Sequence, residues 1–349
     1  MPRSKFKIGI IGHFGFGLNL VNGQTIKTKI VSEVLSQSYN GKIQRIDTHG
    51  GIKAVIPVLL GCLKLLYTCD NVMILLTEKG ISLTIPFLSI CNVFFRKKMH
   101  YNVIGGWLPA FLIEHKWLIP FIKRFDYVYV ETNTMKESLS ELGINNCVII
   151  PNCKNLNILN AESLLMSHVQ PYKICTFSRV MKEKGIEDIV NTIININSLQ
   201  DRLIYSLDIY GQIDNGQKEW FNNLKENFPS YIRYCGVIPY DNSVDVLKDY
   251  FALVFPTKFY TEGVPGTIID AYASGLPVIS SKWQSYADVI DVGKSGFVYK
   301  FNDNEELQDL LLRIANRPEL ILNQKRYCIR KAQNYTLSRL QSNLLKYID

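Results

Sequence analysis

The stretch TKFYTEGVPGTIIDAYASGLPVISSK, residues 257–282, carries two carboxylates eight positions apart, Glu262 and Asp270. Gly263, Pro265 and Gly266 lie between them, and such residues suit a turn better than a helix interior. The run ALVFP just before reads as a short apolar strand, residues 267–274 as a helix, and PVIS as the next strand. Strand, loop, helix, strand is the repeating unit of a parallel sheet. Glu262 then sits on a loop at a strand's carboxyl end. The segment from Gly263 to Thr267 can leave several backbone N–H groups unpaired at the helix N-terminus. Such donors suit a ligand rich in oxygens, and Asp270, one turn further in, can accept hydrogen bonds from hydroxyls. The two acids can grip two ends of a polyhydroxylated ligand. Spacing alone equally admits a surface acid and a solvent-facing helix residue.

The same alternation runs along the whole chain. In the first half KFKIGII, KIQRID, NVMILLT, MHYNVIG, YVYVE and NCVII read as strands, with helices over residues 24–36, 52–67, 81–96, 108–123 and 134–142. In the second half YKICTFS, RLIYSLDIY, IRYCG, ALVFP, PVIS and GFVYK are strands. Helices over 187–197, 218–227, 243–250, 267–274 and 305–316 separate them, and the last thirty or so residues read as helical. The polar, Asn-rich segment PNCKNLNILNAESLLMSHVQP is the expected linker. At 349 residues two cores are expected. The fold class is therefore α/β, with two doubly wound domains, residues 1–155 and 170–334, whose strands present their carboxyl ends to an interdomain cleft.

The composition is globular, 47% apolar and 20% charged. No charge-free apolar run reaches the roughly 18 residues of a spanning helix, and the nearest, residues 81–95, is interrupted by Pro86, Cys91 and Asn92. The N-terminus lacks a secretory pattern, so a cytoplasmic location is expected. Eight cysteines without a CxxC pair read as free thiols, Cys62, Cys91, Cys147 and Cys175 among them in apolar runs. Residues 1–150 hold 17 Lys and Arg against 9 Asp and Glu, whereas residues 151–349 hold 22 of each. The basic half implies an anionic partner: nucleic acid, a membrane surface or a phosphorylated ligand.

Two further loops could meet an anion. IGHFGFG closes the first strand with Gly12, Gly15 and Gly17, in the order G-x-x-G-x-G rather than the dinucleotide order. FSRVMKEKG, residues 177–185, closes the first strand of the second half with Arg179 and Lys184 beside the next helix start. A guanidinium fork and an ammonium there suit a diphosphate, or simply make a solvated basic loop.

EGVPGTIIDAYASGLPVI resembles the signature of GT-B glycosyltransferases of family 4: an acid, seven residues, an acid, then A-x-A-x-G-x-P-V-I. TFSRVMKEKGIEDIV is similar to that family's Arg-plus-Lys-Gly element. GHFGFGLNLVNGQTIKTK, IGGWLPAFL and ELGINNCVIIPN resemble pieces of its bacterial polysaccharide-biosynthesis branch. The resemblance implies a retaining transferase that needs no metal or other cofactor. It implies that Arg179 and Lys184 hold the departing diphosphate and that Glu262, aided by Gly263, Val264, Pro265, Gly266 and Thr267, binds the donor sugar. Asp270 would bind the ribose, Gly236 and Val237 would line the base, and Gly15 and Gly17 would approach from the other domain. The second acid is usually Glu in that family, so Asp270 is a departure. Many relatives also carry a His where this chain reads IGGWLP, so no catalytic His is assigned. His13, His49 and His115 are ordinary polar residues or acceptor-side candidates. The helix from about residue 335 to 349 is expected to rejoin the first domain.

The expected partners are a nucleotide-sugar donor, a polysaccharide or lipid-linked saccharide acceptor, and an anionic membrane face, with no nucleic acid. FFRKKMHY and WLPAFLIEHKWLIPFIKRF combine Lys and Arg with Trp and Phe, as a peripheral contact would, or as two buried helices with basic ends would. Three rivals stand beside this reading. One is a nucleotide-sugar epimerase of the same architecture. Another is a dehydrogenase with Asp47 on a ribose. The third is a non-catalytic protein that binds lipid-linked glycan or nucleic acid.

Overall fold

The computed structural model describes residues 6–18, 22–239 and 242–349. Packing divides the chain into two compact units, Met1–Lys154 with Leu337–Asp349, and Asn155–Thr336. Each holds a six-stranded sheet in which every described pairing is parallel.

The first unit runs β1 (Phe6–Gly12), α1 (Gly23–Ser38), β2 (Ile43–Asp47), α2 (Val55–Thr68), β3 (Cys69–Leu75), α3 (Glu78–Phe95), β4 (Lys98–Asn102), α4 (Leu108–Glu114), α5 (Ile119–Ile122), β5 (Tyr127–Val130), α6 (Asn133–Glu141) and β6 (Cys147–Ile149). Its strand order is β2-β1-β3-β4-β5-β6, so the direction of winding reverses between β1 and β3. Strands covered by helices on both faces become apolar throughout rather than alternating. Ile8, Ile10 and Ile11 of β1 and Val72, Met73, Ile74 and Leu75 of β3 are accordingly all fully buried.

The second unit runs β7 (Tyr172–Phe177), α7 (Ile186–Leu199), β8 (Tyr205–Tyr210), α8 (Lys218–Glu226), β9 (Ile232–Gly236), α9 (Ser243–Leu247), β10 (Ala252–Phe255), α10 (Gly266–Ala273), β11 (Val278–Ser281), α11 (Tyr286–Val289), β12 (Gly296–Tyr299), α12 (Asn304–Asn316), α13 (Glu319–Leu322) and α14 (Lys325–Ala332). Its order, β12-β11-β10-β7-β8-β9, reverses between β7 and β10. The closing helix α15 (Leu337–Ile348) belongs to the first unit, where Leu340, Leu344 and Ile348 bury themselves with Val31, Val34 and Leu35 of α1.

Three differences from the sequence reading have physical causes. The single helix expected over 108–123 is broken into α4, a 3-10 turn at Lys116–Leu118, and α5. The chain leaves helical geometry at His115, with φ −120 and ψ 49, and Pro120, which has no N–H to donate to the preceding turn, stands in the first turn of the new helix α5. The expected linker is not loose, because Leu156, Ile158 and Leu159 pack on the second core and Leu159 N donates to Ala273 O at 2.8 Å. Finally, the stretch Gly51–Thr68 has the length and apolarity of a spanning helix despite Lys53 and Lys64, yet only 22% of it is buried. Val58, Cys62, Leu65 and Leu66 form its core face. Ile52, Ile56 and Leu60, recurring every four residues, are 92%, 71% and 62% exposed.

All eight cysteines are free. Of the aromatic segments singled out above, Phe94 and Trp117 are exposed, while Leu112, Leu118 and Ile122 are buried.

Candidate functional site

In doubly wound sheets ligands bind outside the strand carboxyl ends where the winding reverses. In the second unit that point lies between β7 and β10, whose following loops carry Arg179 with Lys184 and Glu262 respectively. The two loops touch through a glycine. Gly185 adopts φ +68, and a Cβ there would stand 1.9 Å from the carbonyl oxygen of Pro256. Only glycine permits both the left-handed turn and this approach. The approach brings Lys184 against Glu262, 78 positions away in sequence.

Lys184 Nζ donates to Oε1 of Glu262, and Thr257 Oγ1 donates to the same oxygen at 2.9 Å. Both side chains of the ion pair are only 16% exposed. Phe255 and Phe259 flank the ammonium, with ring centroids 5.3 and 4.8 Å away, so it sits among ring faces that favour a cation. Lys258 N donates to Glu183 O at 2.8 Å, closing the junction of the two loops further. Arg179 is half exposed and lies 3.7 Å from the carboxylate of Asp214. The β7 loop is also bound to the loop after β8, where Lys182 N donates to Gln217 Oε1 at 2.7 Å. Arg179 and Lys184 thus emerge from one braced loop.

The helix beyond Glu262 starts without a side-chain cap, Pro265 being its N-cap residue. Pro265 O takes Ile268 N at 3.0 Å and Ile269 N at 3.3 Å. Gly266 and Thr267 supply the leading N–H groups, which no earlier helical carbonyl can receive. The hydroxyl of Thr267 is buried and has no hydrogen-bond partner among the described residues. Gly263, Val264 and Pro265 are themselves buried. Asp270 is not the solvent-facing helix residue that spacing alone admitted. It is 2% exposed, and its Oδ1 accepts from Ser243 Oγ at 2.9 Å. Gly236 ends β9 with φ +77 and accepts from Gly211 N at 2.8 Å, and Val237 beyond it is 60% exposed.

In the first unit, Asp47 ends β2 and grips the glycine loop. Oδ1 accepts from Phe14 N and His49 N, each at 2.9 Å, and Oδ2 accepts from Phe16 N at 3.0 Å. Burial pushes this carboxyl's pKa up, but the backbone hydrogen bonds from His49, Phe16, Phe14 and Gly15 outweigh it and hold the pKa below its usual value. The ribose role weighed for Asp47 is therefore replaced by a structural one: it fixes the loop of Gly15 and Gly17. His13 Nε2 lies 3.1 Å from His49 Nδ1, and His13 Nδ1 lies 2.8 Å from Thr25 Oγ1. His115 Nδ1 is 2.9 Å from Phe111 O on its own helix, and its ring stacks on Phe111.

The sequence reading missed a buried ion pair. Lys27 Nζ donates to Glu131 Oε1 at 2.5 Å and to Val103 O at 2.8 Å, and Gly105 N donates to the same glutamate oxygen at 3.2 Å. It braces the IGGW loop from α1. Its signal was available: Lys27 lies on the stripe of Val31, Val34 and Leu35, where a solvated lysine has no place. Among the described residues no group of three or more His, Cys, Asp or Glu could hold a metal ion.

The family model described as Glycosyl transferases group 1 matches residues 171–317, which include Arg179, Lys184, Glu262 and Asp270. The match lies wholly within the second unit. The chain is 20% identical over 205 residues to an uncharacterized glycosyltransferase of Methanocaldococcus jannaschii, covering 57% of this chain and 51% of the relative. It is 20% identical over 211 residues to the amylovoran biosynthesis glycosyltransferase AmsK of Erwinia amylovora, covering 59% and 49%. The chain thus spans about half the length of these curated relatives. Its fold is similar to that of Anabaena HepE in complex with UDP and glucose, with TM-score 0.72, 11% identity and 98% of each chain covered. It is likewise similar to sucrose-phosphate synthase of Thermosynechococcus elongatus, with TM-score 0.75, 13% identity and 98% of each chain covered. The two parallel sheets are those of the GT-B fold.

Proposed function

We propose that this protein is a glycosyltransferase moving a sugar from a nucleoside diphosphate sugar to a polysaccharide or lipid-linked saccharide, with retention of configuration and without a metal. It would act at the cytoplasmic face of a bacterial membrane, touching it with the basic first unit. The observation that carries the reading is the contact between Lys184 and Glu262 where the second sheet's winding reverses. A cation held there by a carboxylate can change partners. An incoming diphosphate draws Lys184 towards its own oxygens, and Glu262 is released to accept hydrogen bonds from the sugar's hydroxyls.

Arg179 would add a second positive group, trading its long contact with Asp214 for the phosphates. Charge grows on the departing diphosphate, so fixed cations stabilise the transition state more than the ground state. The N–H groups of Gly266 and Thr267 and the unpartnered Thr267 hydroxyl would serve the same oxygens. Asp270 would meet the ribose by exchanging its Ser243 partner for a ribose hydroxyl, with Gly236 and Val237 beside the base. The UDP named with HepE supports uridine as that base.

The test is a Glu262→Gln variant assayed with UDP-sugars alongside UDP titration. Transfer should fall by at least about a thousandfold, with UDP affinity kept within about threefold. A variant that transfers at the parent rate removes Glu262 from the reaction. A parent protein whose melting temperature no nucleoside diphosphate raises has no donor site of this kind.

A further inference from the structure

The first sheet also reverses its winding, between β1 and β3, and a cavity of about 620 Å³ opens there. That is within the range of small-molecule sites. Its walls differ from those of the donor loops. Ile52, Val55, Leu59 and Leu83, from α2, the turn before it, and α3, give it an apolar wall, and His13 and His49 also line it. Ile52 and Leu83 are both wall residues and surface residues, 92% and 49% exposed. Ile52 thus belongs both to the cavity wall and to the exposed series Ile52, Ile56 and Leu60.

The polar end has a fixed polarity. Thr25 Oγ1 donates to Asn22 Oδ1 at 3.1 Å, an oxygen that also receives Thr25 N at 2.9 Å. With its proton so committed, Thr25 Oγ1 must accept from Nδ1–H of His13. With the His13 ring neutral, its Nε2 accepts from Nδ1–H of His49. The relay leaves Nε2 of neutral His49 with a lone pair for an external hydroxyl. Charge favours an anion nearby: Lys79 lines the same cavity, and the first unit holds 20 Lys and Arg against 10 Asp and Glu, while the second holds 19 against 21.

We propose that this cavity seats the proximal part of the apolar chain of a lipid-linked saccharide acceptor, with the linking phosphate beside Lys79 and a sugar hydroxyl on Nε2 of His49. The assignment rests on the transferase reading above and narrows its acceptor to an amphiphile.

The experiment is calorimetric titration of the full chain with methyl, hexyl and dodecyl phosphate, each below its micelle concentration, with UDP titrated in parallel. Affinity should rise at least a hundredfold from hexyl to dodecyl phosphate, since each buried methylene favours binding by about fourfold. Leu59→Trp, which fills the cavity, and Leu83→Glu, which puts a charge on an already exposed wall, should each weaken dodecyl phosphate at least tenfold and leave UDP unchanged. His49→Ala should weaken dodecyl glucoside about fivefold, and an unchanged affinity removes His49 from the head site. Binding that ignores chain length, or variants that bind like the parent, overturns the proposal. So does absence of dodecyl phosphate binding in a protein that binds UDP, which leaves the donor reading standing. Loss of UDP binding with chain-dependent alkyl phosphate binding sinks the donor reading instead.

Discussion

The two units share a layout and differ in what they place at its functional edge. In the second, two loops meet so closely that a cation and a carboxylate 78 residues apart touch, and aromatic rings flank the ammonium. In the first, the corresponding region is open and apolar, and the carboxylate of Asp47 at the end of β2 is already committed to the N–H groups of its own loop. Topology thus fixes where a ligand can bind, and loop chemistry fixes which ligand. The contrast suits a transferase, which must hold a charged leaving group in one place and a different molecule in another.

The sharpest way to break this comparison is Lys184→Met. Transfer should fall by a hundredfold to a thousandfold and UDP affinity by about tenfold, whereas dodecyl phosphate binding should not change. Equal losses at both sites would mean that the two edges are not chemically separate. A smaller effect is expected from Gly185→Ala. Its Cβ would collide with backbone and not with a movable side chain, so the second unit should lose about 2–4 kcal/mol. Gly17→Ala, at φ +79 with nothing within 4 Å, should cost only about 1–2 kcal/mol. Differential scanning calorimetry checks the pair, and equal costs would show that the loops of the second unit are not in close contact.

A further prediction concerns pH. His100 is fully buried, with Tyr129 and Asn71 on its ring nitrogens, and burial, with a lesser push from Lys98, lowers its pKa to about 3. The unfolded chain's imidazole takes a proton near 6.5 and the folded one does not until about 3. The stability from His100 is therefore complete above pH 6.5 and is lost as pH falls towards 3, by about 2 kcal/mol at pH 5. An imidazole NMR signal for His100 that titrates near 6.5 in the folded protein would refute this.

Much of the architecture was legible because it is local. Runs such as KIGII and ALVFP mark buried parallel strands, and the acids of EGVPGTIID stand out on a Gly/Pro turn. What escaped depends on which strands become neighbours. No spacing reveals that Thr257 and Lys184 share one oxygen of Glu262, because that follows from β7 lying beside β10. The burial of Asp270 depends in the same way on α9, which brings Ser243 over it. The exposed stripe of Ile52, Ile56 and Leu60 was hidden for another reason. Periodicity marks an apolar face but cannot say that the helix has a second one pointing outward.

The membership of α15 in the first unit makes the order of synthesis matter. Val31, Val34 and Leu35 emerge from the ribosome well before Leu340, Leu344 and Ile348, which cover them. All of the intervening unit, Asn155–Thr336, is translated before that cover exists. The core begun first is therefore sealed only after the second unit has been made, and until then a nascent chain carries an uncovered hydrophobic seam.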